Sequence, residues 1–240
     1  MGSDSYPSTL DMLGDTMKRL ADDLDILDGF PPFAINVYVM GGVLVDCGTR
    51  FATRRILRQV RGRTLKAVAL THVHADHQGA CHAICTTLGL PLWCGARDAD
   101  AMEIEGLMMA RMPKSRLAER IGKNWQGPPH TVSRQLREGD EVGGFQVLET
   151  PGHTIGHIAF WREADRTLIV GDVVCNMHIW TGLPMLREPE DIFTVDPAQN
   201  RASARRLAAL QPRLVCFGHG KPLRDPDKLS AFVRQFPEAD

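Results

Sequence analysis

T-H-V-H-A-D-H-Q-G, residues Thr71–Gly79, places His72, His74, Asp76 and His77 directly behind the apolar run AVAL. A short apolar run that ends in turn residues reads as a buried strand, here Lys66–Thr71. Residues two apart at a strand end project to one side, so His72 and His74 can face a common point. Asp76 and His77 follow where the chain bends into a helix, read over His77–Leu88 and stopped by Gly89 and Pro91. One short segment thus carries two donor sets.

The arrangement recurs downstream. TPGHTIGH places His153 in a glycine-bounded turn after a strand at Val142–Thr150. Gly171-Asp172 follows a strand at Thr167–Val170, and FGHG places His219 after a strand at Arg213–Phe217. Strand ends on one sheet edge are where layered α/β proteins build sites. Imidazole and carboxylate without thiolate suit zinc, and admit iron, manganese, cobalt or nickel. We allocate His72, His74 and His153 to one ion and Asp76, His77 and His219 to a second, with Asp172 bridging them. A hydroxide would bridge as well, because a bound metal lowers the pKa of water from about 15.7 to about 7. Asp76 and Asp172 therefore count as catalytic as well as metal-binding candidates.

The motifs H-x-H-x-D-H, TPGHT-x-GH, GD and FGHG resemble those of the metallo-β-lactamase superfamily, over most of the chain from about Leu24 to Leu223. The resemblance implies an α/β fold, an αββα sandwich with two metals at the sheet edge. It also implies a metal-dependent hydrolase. The bridging Asp172 looks like the glyoxalase II and lactonase branches, which cleave small ester-like bonds. Full-length glyoxalase II carries a helical domain that holds glutathione, and the residues after His219 leave room for one helix. Several lactonases hold the substrate carbonyl with a tyrosine shortly after the bridging aspartate. Here that stretch is DVVCNMHIW, so Cys175, Asn176 or His178 are the candidate donors, with His178 as candidate acid. The alternatives are an iron-dependent oxidoreductase of the same fold, similar to persulfide dioxygenases, and β-lactam hydrolysis as a side activity. Non-catalytic relatives usually lose ligands, and this chain has lost none.

Composition narrows the partners. Of 240 residues, 43% are hydrophobic and 24% charged, with a net charge of −1, so no basic field draws the chain to nucleic acid or an anionic membrane. The N-terminus lacks a secretion signal and no apolar run matches a membrane span, so the expected home is the cytoplasm. The six cysteines are scattered without a C-x-x-C pair and read as small core residues. A small-molecule substrate is the expected partner, and homo-oligomer formation is left open.

The remaining pattern alternates short strands with amphipathic stretches, read as one domain over 1–240. Residues 1–16 read as a flexible extension. Leu10, Leu13, Met17, Leu20, Leu24 and Leu27 follow a helical spacing, but Gly14 and the aspartates weaken a helix, and Met17–Asp28 is read instead as a hairpin turning at Ala21–Asp23, which the resemblance also favours. Ile35–Met40 and Val43–Asp46 flank the turn Gly41-Gly42. Arg50–Arg61 reads as a helix with Phe51, Ile56, Leu57 and Val60 inward, Leu92–Cys94 as a strand and Ala99–Gly122 as one methionine-rich helix. Residues 99–130 form a helical insertion near the site. Met108, Trp125, Cys175 and Trp180 are the candidate substrate-binding residues. His157–Arg162 reads as a further strand, with Ala198–Leu210 and Asp225–Gln235 as helices. His157 and Asp46 read as supports for the ligand loops, and His82 and His130 as ordinary histidines.

Overall fold

Val43, Val45, Ala67 and Ala69 face one buried layer, while Leu44, Val68 and Leu70 between them face another. Strands buried on both faces need a covering layer on each side. That alternation fixes a four-layer build. The computed structural model describes residues 17–178 and 181–237. Its first half contains β1 (Lys18–Ala21), β2 (Leu24–Ile26), β3 (Tyr38–Met40), β4 (Val43–Val45), α1 (Thr53–Gln59), β5 (Ala67–Leu70), α2 (Ala75–Gln78) and α3 (Cys81–Leu88). Then come β6 (Leu92–Gly95), α4 (Ala99–Glu103), α5 (Leu107–Arg111), α6 (Arg116–Trp125) and β7 (Val132–Leu136). The second half contains β8 (Glu141–Val142), β9 (Phe145–Glu149), β10 (Ile158–Arg162), β11 (Thr167–Gly171), β12 (Cys175–Asn176), β13 (Leu186–Arg187), α7 (Pro197–Ala209), β14 (Leu214–Phe217) and α8 (Pro226–Val233).

Strands β1 to β7 form a seven-stranded sheet in sequence order, antiparallel as far as β4 and parallel from β4 to β7. A five-stranded sheet runs β14-β11-β10-β9-β8, with β11 and β14 parallel. Tyr38, Phe145 and Phe160 fill the space between the sheets. Ile56 of α1 and Ile84 of α3 cover the outer face of the first sheet, and Leu207 of α7 and Val233 of α8 that of the second. The result is the expected αββα sandwich.

The hairpin over Met17–Asp28 forms as β1 and β2, with Asp23 at φ +50 in its turn. Gly41 and Gly42 take φ +55 and +81, the left-handed pair a two-residue hairpin needs. A Cβ on Gly41 would also lie 2.2 Å from the Gly143 carbonyl oxygen, so only glycine fits there.

Several elements differ from expectation. The single helix over Ala99–Gly122 is three, α4, α5 and α6, because Gly106 turns left-handed at φ +80 and Pro113 stops α5 from running on. Ser115 then caps α6 by accepting from the Ala118 amide. The helix expected at His77 starts at Ala75 and breaks at Gly79, which packs against the Trp125 carbonyl. Phe51 is not inward; it sits in a 3-10 turn, 69% exposed beneath the Arg50 guanidinium. The strand read over Val142–Thr150 divides around Gly143-Gly144 into β8 and β9. Strand β7 escaped the sequence reading because its residues, VSRQL, are mostly polar, as suits an edge strand. The extension expected over residues 1–16 lies outside the described residues, as does Trp180. Among the described residues no helix is long and apolar enough to cross a membrane.

Candidate metal centre

The candidate ligands all follow strand ends that meet at one edge of the sandwich. His72 and His74 follow β5, Asp76 and His77 lie on α2, and His153, Asp172 and His219 follow β9, β11 and β14. Donor atoms of His72, His74 and His153 lie within 4.8 Å of one another, as do those of Asp76, His77 and His219. Asp172 stands between the groups. Its Oδ2 is 3.0 Å from His219 Nε2, 3.4 Å from His77 Nε2, 3.7 Å from His153 Nε2 and 4.0 Å from His72 Nε2.

The protein's own acceptors set the rings. His77 Nδ1 donates to Asp46 Oδ2 at 2.9 Å, His153 Nδ1 to Thr194 Oγ1 at 3.2 Å, and His219 Nδ1 to the Ala34 carbonyl. Thr71 Oγ1 donates to Asp46, which can only accept, and so accepts from His72 Nδ1 at 3.1 Å. A proton fixed on Nδ1 leaves Nε2 of a neutral ring with a lone pair aimed inward, and leaves on Nε2 of a charged ring a proton that a cation would displace. Nε2 of His72, His74, His77 and His153, with Oδ1 of Asp172, are buried and have no hydrogen-bond partner. Each such orphan costs about 1–3 kcal/mol, and their convergence on one point fits divalent cations.

The electrostatics divide the donors. Burial pushes His74 down to about 4, and His72 and His153 well below the usual histidine range, so these three candidate ligands are neutral. Burial also opposes charge on His77, but Asp172, Asp46 and Asp76 outweigh it and raise the ring to about 10. His219 is raised well above its usual value against burial, by Asp172 and Asp76. This side of the site draws positive charge.

His157 is placed as a support. Its Nε2 accepts from the Asp172 amide at 3.1 Å and its Nδ1 meets Thr150 Oγ1 at 2.8 Å. Gly218 matters through its missing side chain: a Cβ there would lie 1.9 Å from Asp172 Oδ1. Asp46 reaches His77 directly and His72 only through Thr71.

Sequence reading passed over Asp98. Its Oδ2 accepts from Thr154 Oγ1 at 2.6 Å and its Oδ1 from the Gly156 amide at 2.9 Å, with the Val73 amide beside it. It joins the loop of His72 and His74 to the turn of His153. The available clue was its place just past β6, another strand end on the edge that carries the ligands.

The centre opens into a cavity of about 430 Å³. Met108, Trp125 and Cys175 line it, and His178 is not among its lining residues. His178 Nδ1 accepts from the Thr181 amide at 3.3 Å. Asn176 is occupied in the scaffold, its Nδ2 donating to the Lys221 carbonyl at 2.8 Å. Burial pushes the Cys175 thiol up to about 12, so it stays neutral.

An αββα sandwich with two imidazole–carboxylate clusters at its edge defines a metal-dependent hydrolase. The chain belongs to the metallo-β-lactamase superfamily, whose family model matches residues 30–219. The probable metallo-hydrolase YflN of Bacillus subtilis is 28% identical over 200 residues, covering 75% of this chain and 76% of the relative. The hydroxyacylglutathione hydrolase of Bdellovibrio bacteriovorus is also 28% identical, but the match covers 64% of this chain and only 48% of that protein. Among solved structures, TTHA1623 in a di-iron-bound form is 30% identical with a TM-score of 0.63, covering 86% of this chain and 96% of that one. A metallo-β-lactamase family protein of Thermus thermophilus, TTHA1429, is 26% identical with a TM-score of 0.65, covering 90% and 79%.

Proposed function

We propose that this protein is a two-metal hydrolase that cleaves a small ester-like bond, a lactone or thioester. Water adds to the acyl carbon, the C–O or C–S bond breaks, and a proton passes to the leaving oxygen or sulfur. The observation that carries this reading is Asp172: one carboxylate oxygen lies within 4.0 Å of the Nε2 atoms of four histidines. His72, His74 and His153 would hold one ion, Asp76, His77 and His219 the other, and Asp172 both. Two divalent ions supply Lewis acidity and lower the pKa of water to about 7.

The chain's own residues do the rest. Thr71, Asp46, Thr194 and the Ala34 carbonyl hold the rings of His72, His77, His153 and His219 through Nδ1, which fixes where their Nε2 atoms point. His157 pins the Asp172 backbone. Cys175 is a neutral lining donor for a substrate carbonyl. His178 stays a candidate acid, and unchanged turnover in His178→Ala would remove it.

Zinc is the proposed metal. The relative solved with two irons makes iron the metal to count beside it. The test is metal analysis of purified protein together with a screen over lactones, thioesters, β-lactams and phosphodiesters. Two zinc equivalents with lactone or thioester turnover support the reading. One iron with oxygen uptake favours a dioxygenase instead.

A further inference from the structure

The cavity wall beside the metal centre is built from the two helices of the methionine-rich segment. Ala118, Ile121 and Trp125 line the cavity from α6, and Met108 and Met109 from α5, with Met112 just beyond it. The α6 positions fall at helical spacing and share one face. Arg116, Glu119, Arg120 and Lys123 take the exposed face. The wall is anchored at both seams. A Cβ on Gly122 would lie 2.5 Å from Met109 Sδ, so α5 rests directly on α6. A Cβ on Gly79 would lie 2.4 Å from the Trp125 carbonyl oxygen, so α6 ends against the backbone two residues past His77.

Charge at the rim points the same way. Among the described lining residues Arg187 is the sole lysine or arginine, and its guanidinium is bonded to Glu190. Glu188 lines the cavity too and is held by Arg201 at 2.7 Å. A substrate with several anionic groups, such as a glutathione or nucleotide thioester, finds no set of unpaired cations there. Phe30, 93% exposed, stands at the cavity rim. Methionine side chains adapt to flexible apolar ligands.

We infer that the methionine–tryptophan wall is an acyl-chain subsite, and that the substrate is an uncharged ester or lactone carrying an unbranched apolar acyl group. This rests on the hydrolase reading above. The reacting carbonyl sits at the metal centre and the chain runs along α5 and α6.

The test uses the metal-loaded enzyme and 4-nitrophenyl esters from acetyl to decanoyl. The expected result is a rise in kcat/KM of about fourfold per methylene until the cavity is full, mainly through KM. Met112→Trp should lower the octanoyl-to-acetyl ratio of kcat/KM by about tenfold or more. S-octanoyl-N-acetylcysteamine should outperform S-octanoylglutathione, which has the same acyl group and more charge. A profile flat in chain length, or preference for the glutathione thioester, overturns the inference. Binding of octanamide, followed by tryptophan fluorescence, needs no turnover. If no ester is cleaved yet octanamide binds, the reaction is wrong and the subsite stands; if it does not bind, the subsite falls.

Discussion

Asp98 Oδ2 and Thr154 Oγ1 lie 2.6 Å apart, and their bond ties the end of β6 to the turn that carries His153. The same carboxylate accepts from the Gly156 amide. A Cβ on Gly156 would lie 2.2 Å from the Asp98 amide nitrogen, so the two loops touch backbone to backbone. Asp98 touches no candidate ligand atom, yet it sets where His153 sits relative to His72 and His74. Asp98→Ala should weaken metal binding at that triad about 10–100-fold and leave the Asp76, His77 and His219 set occupied. Chelator competition on the stripped protein reads this directly. Two unchanged affinities would reduce Asp98 to a packing residue.

The same residue makes a prediction in pH. Burial lifts the Asp98 carboxyl from its ordinary 3.8 to about 6, against the pull of Thr154 and Gly156. The folded protein therefore holds this proton more tightly than the unfolded chain. Its contribution to stability is full below about 3.8 and is lost as pH rises through about 6. Asparagine does not titrate, so the stability of wild type relative to Asp98→Asn should fall by roughly 3 kcal/mol across that window. Urea unfolding of both stripped proteins at pH 4.5 and pH 7 should read about 2 kcal/mol of this, because pH 4.5 already lies inside the window. A gap constant with pH would show that the carboxylate is fully compensated by its partners.

What the sequence made legible was chemistry at strand ends. His72, His74, Asp76 and His77 are legible because they crowd one short segment behind an apolar strand, and His153, Asp172 and His219 because each follows an apolar strand with glycine beside it. The hairpin at Ala21–Asp23 was only half legible, because the helical spacing of Leu10, Leu13, Met17, Leu20, Leu24 and Leu27 competed with its turn residues. Asp98 was not, since a lone aspartate in RDAD has no special spacing and gains meaning only when Thr154, 56 residues on, folds against it. The inward face of α6 was obscured in the same way. Its helical pattern was run together with α4 and α5, although Gly106 and Pro113 mark the joints. Phe51 shows the opposite error, a large apolar side chain whose place on a 3-10 turn points it to solvent.

Removing the metals should cost stability as well as activity. The five buried donor atoms without partners keep their desolvation cost, and Asp172 loses its counter-charge. With metal at about 1,000 times its dissociation constant, binding contributes about 4 kcal/mol, so chelation should lower the thermal midpoint by roughly 8–16 °C. Differential scanning calorimetry before and after chelator treatment, with restoration by added zinc, checks it. A midpoint indifferent to chelator would mean that no ion occupies these donors.

Gly218 offers the sharpest steric test of the bridging position. A methyl group there would lie 1.9 Å from Asp172 Oδ1 and 2.8 Å from His77 Cε1, closer than side-chain carbons approach such atoms. Neither neighbour can step aside freely. The Asp172 amide is bonded to His157 Nε2, and His77 Nδ1 to Asp46. The Gly218 backbone is itself held, its amide donating to the Gly171 carbonyl and its carbonyl accepting from the Asn36 amide, both at 2.8 Å. Gly218→Ala must therefore displace the Asp172 carboxylate, the group closest to all four Nε2 atoms. Metal content should fall below two equivalents and turnover by two orders of magnitude or more, on the scale of a 1 Å misplacement. Circular dichroism should stay that of the folded sandwich, because the substitution adds one methyl at the sheet edge and none between the sheets. A Gly218→Ala protein that keeps both ions and full turnover would show that Asp172 does not sit between them.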